Sequence, residues 1–364
     1  MSRTITLEII KVVQPIGTIY VSKISPDILL EMSSVDRRRI EDDDEILGVQ
    51  RELKKDKVSQ IKKYLSSVDA TFPNSIIVNT TSDNIVSERP NSLEIKIDES
   101  AFTIIDGQHR VEGFRDNPVE NFELLIAIFK DLEIDQQANI FSTINSEQTK
   151  VDPSLNLHLE INNRVFTPKK MMIEIAQSFC LDPKSPWHNE IKLMGSQANS
   201  GIISLSAFVK PLLNLTYPEQ DYHLIRNCLI ETENKFPNFE SFNYKSDRHI
   251  FWSFYTKKDS ASIYKILLNY FQSLSVLLES DWLNDKSLLN KTTGYNAMIK
   301  LFKDIAQEGI REGRLSYDYF FNKLEKLSSM NGTINSTNFG ASGTKASNEL
   351  YEEMKKTLAN NGDK

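Results

Sequence analysis

An α+β architecture is predicted for this chain, with a mixed-sheet domain at the N-terminal end and an all-helical domain behind it. Three observations predict it. Strand-like and helix-like patterns alternate from residue 1 to about 155, and long amphipathic helical stripes take over after Pro153. Residues 328–348 then hold 15 Ser, Thr, Asn or Gly among 21, too polar to build a core by themselves. The expected domains are therefore 1–155, 156–327 and a polar tail over 328–364 that ends in a helix at 349–358. The 364 residues, 40% hydrophobic and 26% charged, suffice for two moderate cores.

Taken in order, residues 5–13 and 17–21 alternate with period two and read as strands. Ser25 and Pro26 open a helix as N-cap and first helical residue. The mixed charge block at 36–45 reads as a solvated loop or helix face, since nothing else in the segment fixes its carboxylates. Val58, Ile61 and Leu65 form a helical stripe, followed by a short buried strand at 75–78. Residues 93–97 alternate again, 101–105 run apolar into Asp106 and Gly107, 124–129 form another apolar strand, and 135–144 return to helix. Beyond Pro153 the helices are clearest at 170–180, 205–215, 260–280 and 296–307.

Composition excludes several classes of function. With 43 Lys plus Arg against 50 Asp plus Glu, the formal charge of -7 rules out coating nucleic acid by bulk charge, so any DNA contact must be local. Cys180 and Cys228 form neither a disulfide framework nor a CxxC metal pair, which suits a reducing cytosol and argues against structural zinc. The first residues lack the apolar core of a secretory signal. The longest apolar stretch, 263–278, is broken by Lys265, Asn269, Gln272 and two serines, so no membrane span is expected and the expected location is cytoplasmic.

The segment that carries chemistry runs from Phe102 to Phe114. A buried strand ends at Ile105, glycine stands at the turn, and Val111 and Phe114 mark the inward face of a following helix. Backbone amides at residues 107–109 and the positive helix end would meet there, and Gly107 lets a ligand approach the backbone closely. His109 and Arg110 add donors suited to an anion, and a planar guanidinium can hold phosphate oxygens in pairs.

Asp106-Gly107-Gln108-His109-Arg110 resembles the signature of the DGQHR-domain proteins, the family that includes the phosphorothioation protein DndB and the 7-deazaguanine protein DpdB. The resemblance implies a core similar to the N-terminal domain shared by ParB and sulfiredoxin, in which a Gly-x-x-Arg turn opens a helix against nucleotide phosphates. Gln50-Arg51 resembles a ParB element ahead of a helix. Asn145-Ser-Glu-Gln148-Thr-Lys-Val151-Asp-Pro153 resembles the ParB pattern N-x-x-R-x-x-L-x-P, with Gln148 in place of arginine. Two departures matter. Gln108 stands where sulfiredoxin carries its reactive cysteine, which excludes that reduction, and Ile144 stands where ParB has a carboxylate beside its asparagine. A magnesium ligand would have to come from Asp106, Asn145, Glu147 or the nucleotide itself.

Asn290-Lys-Thr292-Thr293-Gly294 resembles a late Thr-rich stretch of DGQHR proteins, although hydroxyls at a helix start equally suit capping. Ser185-Pro-Trp187-His188 reads either as a site or as a core tryptophan beside a turn.

The resemblance implies a ParB-like nucleotide-binding protein, an ATP hydrolase serving a bacterial DNA-modification system. Gln50, Arg51, Gly107, Gln108, His109, Arg110, Asn145, Gln148, Thr292, Thr293 and Gly294 would bind ATP or another nucleoside triphosphate. Asp106, His109 and Arg110 are the catalytic candidates, with Asp106 or Glu112 positioning water and Asp106 and Asn145 the metal candidates for Mg²⁺. No Walker lysine motif is present, which excludes an ordinary P-loop enzyme. The first alternative is a DNA-binding regulator of a phosphorothioation system. Between residues 51 and 63, Arg51, Lys54, Lys55, Lys57, Lys62 and Lys63 face only Glu52 and Asp56, a local +4. The second is a ParB-like nuclease. DNA and the proteins of a modification system are the expected partners, and sulfur and 7-deazaguanine chemistry are both compatible with these motifs.

Overall fold

The computed structural model describes residues 3–34, 39–40, 46–47, 53–147, 152–193, 201–232, 236–242, 244, 247–340 and 343–359. The fold is α+β, and the chain divides after Lys150 into two compact units, 1–150 and 151–364.

In the first unit the order is β1 (Thr4–Glu8), β2 (Ile10–Gln14), β3 (Gly17–Ile24), α1 (Pro26–Met32) and β4 (Ser33–Ser34), then a short pair, β5 (Arg39–Ile40) and β6 (Ile46–Leu47). There follow α2 (Lys55–Leu65), β7 (Ile76–Thr80), β8 (Ile85–Arg89), β9 (Ser92–Lys96), β10 (Phe102–Asp106), α3 (Gln108–Glu112), β11 (Leu124–Lys130) and α4 (Ile134–Glu147). A six-stranded mixed sheet runs in the order β2-β3-β11-β7-β10-β4, and a three-stranded antiparallel sheet runs β1-β9-β8. Ile126, Ile128, Ile76, Val78, Phe102 and Ile104 from the inner strands are buried and share a core with Leu29, Met32, Val111 and Phe114 of the helical segments. That core seats β10 between β7, to which it is antiparallel, and the edge strand β4.

The single strand expected over 5–13 is two strands. The chain breaks at Ile9, which is buried and whose amide donates to the Asn91 carbonyl at 3.0 Å. β1 therefore pairs with β9 while β2 pairs with β3, in different sheets. The alternation of residues 5–9 breaks at the adjacent pair Ile9 and Ile10, and that change of phase marks the corner.

The second unit contains α5 (Pro153–Glu160), α6 (Pro168–Leu181), a two-residue parallel pair β12 (Ile191–Lys192) and β13 (Ile203–Ser204), α7 (Leu205–Asn214), α8 (Tyr222–Glu231), α9 (Trp252–Tyr255), α10 (Ser260–Leu277), α11 (Glu279–Trp282), α12 (Thr292–Glu312), α13 (Tyr317–Leu324), α14 (Ser336–Phe339) and α15 (Thr344–Ala359). Its centre is aromatic: Trp187 is fully buried and meets Phe208, Phe271, Trp282 and Tyr295 edge-on, with ring centroids 5.4–5.7 Å apart. Such edge-to-face contacts satisfy the ring quadrupoles and add to the area buried. Ser185-Pro-Trp187-His188 thus places its tryptophan in the core.

Of residues 328–348, expected as a polar loop, 328–340 and 343–348 are described and are folded onto this unit. Met330, Ile334 and Phe339 are buried, and α15 buries Ala346, Ser347, Leu350 and Met354 on one face. The apolar residues are few, but they fall at helical and turn positions that reach a core supplied by α12 and the preceding helices.

Among the described residues no helix is long and apolar enough to cross a membrane.

Candidate functional site

A cleft of about 680 Å³ opens in the first unit where β10 ends. β10 delivers Asp106 to its edge, the chain turns at Gly107 with φ +98°, and α3 begins at Gln108. Only glycine is comfortable there, for two reasons. The backbone lies in the left-handed region, and an added Cβ would stand 2.5 Å from Ile76 Cδ1 and 3.1 Å from Arg110 Nη2. The strand, turn and helix of residues 102–112 therefore follow the order that the sequence indicates. The helix, however, is a single short turn of five residues, so its dipole contributes less to anion binding than a full helix would.

Arg110 lines the cleft with its guanidinium already engaged. Nη1 donates to the Asn74 carbonyl at 2.6 Å, and Nη2 donates to the Ser75 carbonyl at 3.1 Å and to Asp106 Oδ2 at 3.0 Å. The carboxylate it pairs with, four residues back, is itself part of the cleft wall. Arg110 thus ties the turn to the segment entering β7 and fixes the cleft floor. The guanidinium expected to help hold phosphate is also a structural brace, because the loop at 73–75 presents two carbonyls at fork spacing.

Further cationic groups come from α2, whose basic stripe reads in the sequence as a solvated helix face or as support for DNA contact. Lys54, its N-cap residue, and Lys57 both line the cleft, and no side chain of the N-cap closes the helix start. The Lys54 amide donates to His109 Nε2 at 3.1 Å. An Nε2 that accepts leaves the proton of the neutral ring on Nδ1, so the imidazole has a donor to offer elsewhere. Burial, and then the Lys57 and Lys54 ammoniums, hold the His109 pKa below the ordinary histidine value, with Asp106 pulling weakly the other way. Eleven residues of α2 direct their positive end at the same place.

Ile77, Ile105 and Phe141, which pack together, give the cleft an apolar wall, and Leu125 and Phe72 also line the space, Phe72 from the other core of this unit. Phe72 is fixed by Tyr64, Phe114 and Phe122, at centroid distances of 5.7, 6.1 and 5.7 Å. The cleft therefore combines cationic groups with apolar surface, which suits a ligand with charged and aromatic parts.

The cleft collects Asp106, Gly107, Gln108, His109 and Arg110. Ile144, on α4, reaches it too. Gln50, Arg51 and Gln148 lie outside the described residues. Asn145 and Glu147 belong to the last turn of α4, and their side chains also lie outside what is described. Glu112 is paired with Arg115, Nε to Oε1 at 2.8 Å. Thr292, Thr293 and Gly294 belong to the second unit and open α12. Thr293 is buried, and a Cβ on Gly294 would collide with the carbonyl oxygens of Leu288 and Leu289, so close packing already requires glycine there. Lys54, Lys57, Asn74, Ser75, Phe72 and Phe141 are among the cleft residues that the sequence did not place in the site.

For a magnesium ion the described residues lining the cleft offer only the Asp106 carboxylate, which is held in an ion pair. Among the described residues no three His, Cys, Asp or Glu side chains group closely enough to hold a metal ion. The fit to a metal is therefore poor.

A family model described as DndB, DNA-sulfur modification-associated, matches residues 7–213, more than half of the chain. The match covers the whole cleft and continues through α5, α6 and most of α7. No curated protein and no solved structure matches the chain.

Proposed function

The chain belongs to the DndB family of DNA-sulfur modification-associated proteins, and from that premise we propose that its first unit binds a nucleoside triphosphate in the service of DNA phosphorothioation. One observation carries the reading: a single cleft is lined by Lys54, Lys57 and His109, which meet at the start of α2, and by an apolar wall of Ile77, Ile105 and Phe141. The phosphates belong beside the cationic groups, where two ammoniums, the α2 N-terminus and the His109 Nδ1 proton converge, and the base belongs against the apolar wall. The likeness of the Asp106–Arg110 turn to DGQHR and ParB-like proteins supports the same orientation. Sulfur chemistry is favoured over 7-deazaguanine chemistry by the family match.

Hydrolysis would follow from competition for Arg110. The guanidinium holds Asp106 at 3.0 Å. A phosphate oxygen that draws one guanidinium edge away would free the Asp106 carboxylate to orient a water, while Arg110 and the lysines offset the developing charge. Calorimetry of the purified chain with ATP, with and without Mg²⁺, tests binding, and phosphate release tests hydrolysis. Micromolar binding that is lost in Lys54→Ala/Lys57→Ala is expected, and absence of heat in both conditions would remove the reading.

A second reading rests on a different face. Lys55 and Lys63 of α2 are exposed and form no ion pair among the described residues, which suits phosphate contacts by a DNA-binding regulator. A salt-dependent gel shift on the upstream DNA of its own gene, weakened in Lys55→Ala/Lys63→Ala and absent on random DNA, is its expected signature.

A further inference from the structure

A second cavity, of about 340 Å³, lies within the helical unit between α5, α6, α7 and the start of α8. Pro153, Leu157 and Leu213 give it an apolar side, and Lys169, Lys210 and Tyr217 bring polar groups to it. Lys169 follows Pro168 in the first turn of α6 and is half-buried. Its ammonium stands 3.6 Å from the centroid of the Tyr222 ring. That ring is held in place because the Tyr222 hydroxyl donates to Glu160 Oε1, which also accepts from Thr167 Oγ1 at 2.9 Å and Asn163 Nδ2 at 3.1 Å. Among the described residues neither Lys169 nor Lys210 has a hydrogen-bonding or ion-pair partner, and the hydroxyl of Tyr217, a residue only 2% exposed, has none either.

A half-buried ammonium whose one close partner is a ring face is a costly arrangement, and a second cation on the same cavity adds to the cost. Glu160 and Glu219 attract Lys169 and Arg226 repels it, yet burial outweighs them and draws its amine below the ordinary lysine range. A ligand bringing two negative charges would offset both lysines, whereas a single carboxylate would answer one. Glu219, exposed at the rim, disfavours further negative charge on that side and can accept from ligand hydroxyls.

We propose that this cavity is a second binding site, separate from the cleft of the first unit, for a terminal phosphate monoester held by Lys169, Lys210 and the Tyr217 hydroxyl. The phosphate belongs either to a free mononucleotide or to the 5′ end of a DNA strand.

Pyridoxal 5′-phosphate tests this on the full chain, since it carries the phosphate and reports on a neighbouring amine. The amine attacks the aldehyde carbon, water leaves, and borohydride delivers hydride to the resulting imine. Peptide mapping then names the modified lysine, so that Lys169 is read separately from Lys54 and Lys57. Lys169 is expected to be modified ahead of the exposed lysines near neutral pH. AMP and a 5′-phosphorylated oligonucleotide are expected to slow it roughly tenfold, about one charge-assisted hydrogen bond's worth. Protection by AMP alone assigns the free nucleotide, protection by both admits strand ends, and a 5′-hydroxyl oligonucleotide should protect in neither case. Lys210→Met, at an exposed position that leaves the melting temperature in place, should weaken AMP protection by about tenfold. An unmodified Lys169, or modification indifferent to every phosphate offered, would overturn the proposal.

Discussion

Arg110 and His109 show how one turn serves structure and site together. The guanidinium joins three acceptors that belong to two separate segments, Asn74 and Ser75 on one side and Asp106 on the other. A lysine is a point charge on a flexible stem and cannot reach all three from one position. Arg110→Lys is expected to cost about 1–3 kcal/mol in urea unfolding, since bonds from a charged donor are the strong ones. Unchanged stability would mean that the guanidinium is not a brace. His109 gives a pH dependence of definite sign. Its pKa in the folded chain lies below the ordinary histidine value, so the unfolded chain takes up the proton first. The stabilising contribution is complete above about pH 6.5 and declines as the pH falls through that value towards the folded pKa. His249 is shifted in the same direction by burial, so the wild type alone would blend the two. His109→Gln keeps an acceptor for the Lys54 amide without titrating, and the difference between its stability profile and that of the wild type should isolate the His109 share. Coincident acid limbs would count against the assignment.

The helix pair α2 and α3 determines where these residues stand. Gly113, just past α3, lies against Ile61 of α2, and an added Cβ would collide with Ile61 Cγ2. Gly113→Ala should push α2 away and lengthen the Lys54–His109 contact, at a cost of about 1–3 kcal/mol. Adding Ile61→Ala makes room for the new methyl, so the double variant should lose less than the two single losses together, and strict additivity would show that the helices are not in tight contact. The stripe of Val58, Ile61 and Leu65 made α2 legible in the sequence, because a half-buried helix must repeat its apolar face. Asp106 to Arg110 was legible as a strand, a turn and a helix because glycine and the flanking apolar runs are local signals. The role of Lys54 was not legible, since it depends on an amide meeting an imidazole 55 residues further along. Nor was the engagement of Arg110, whose partners at 74 and 75 arrive through sheet pairing. Short-range patterns carry the elements, and the cleft is assembled from long-range encounters.

Over the whole molecule the same distinction explains the C-terminal region. Its serines, threonines, asparagines and glycines outnumber the apolar residues, so composition alone pointed to a tail. Position decides otherwise, for Ala346, Ser347, Leu350 and Met354 recur on one face of α15, which packs along α12. A few well-placed side chains are enough when the rest of the core is already supplied by other helices. The two units also have separate cores, the first drawn from residues 7–128 and the second from 171–354. All three tryptophans, Trp187, Trp252 and Trp282, belong to the second unit, so tryptophan fluorescence reports on that unit alone. Leu350→Ala empties a fully buried position and is expected to cost about 2–5 kcal/mol. The fluorescence-detected midpoint in urea should fall accordingly. Gly113→Ala, in the first unit, should leave that midpoint in place while lowering the stability read by calorimetry. If α15 were a tail laid on the surface, Leu350→Ala would leave the fluorescence transition unmoved, and if the units shared one core, Gly113→Ala would shift it.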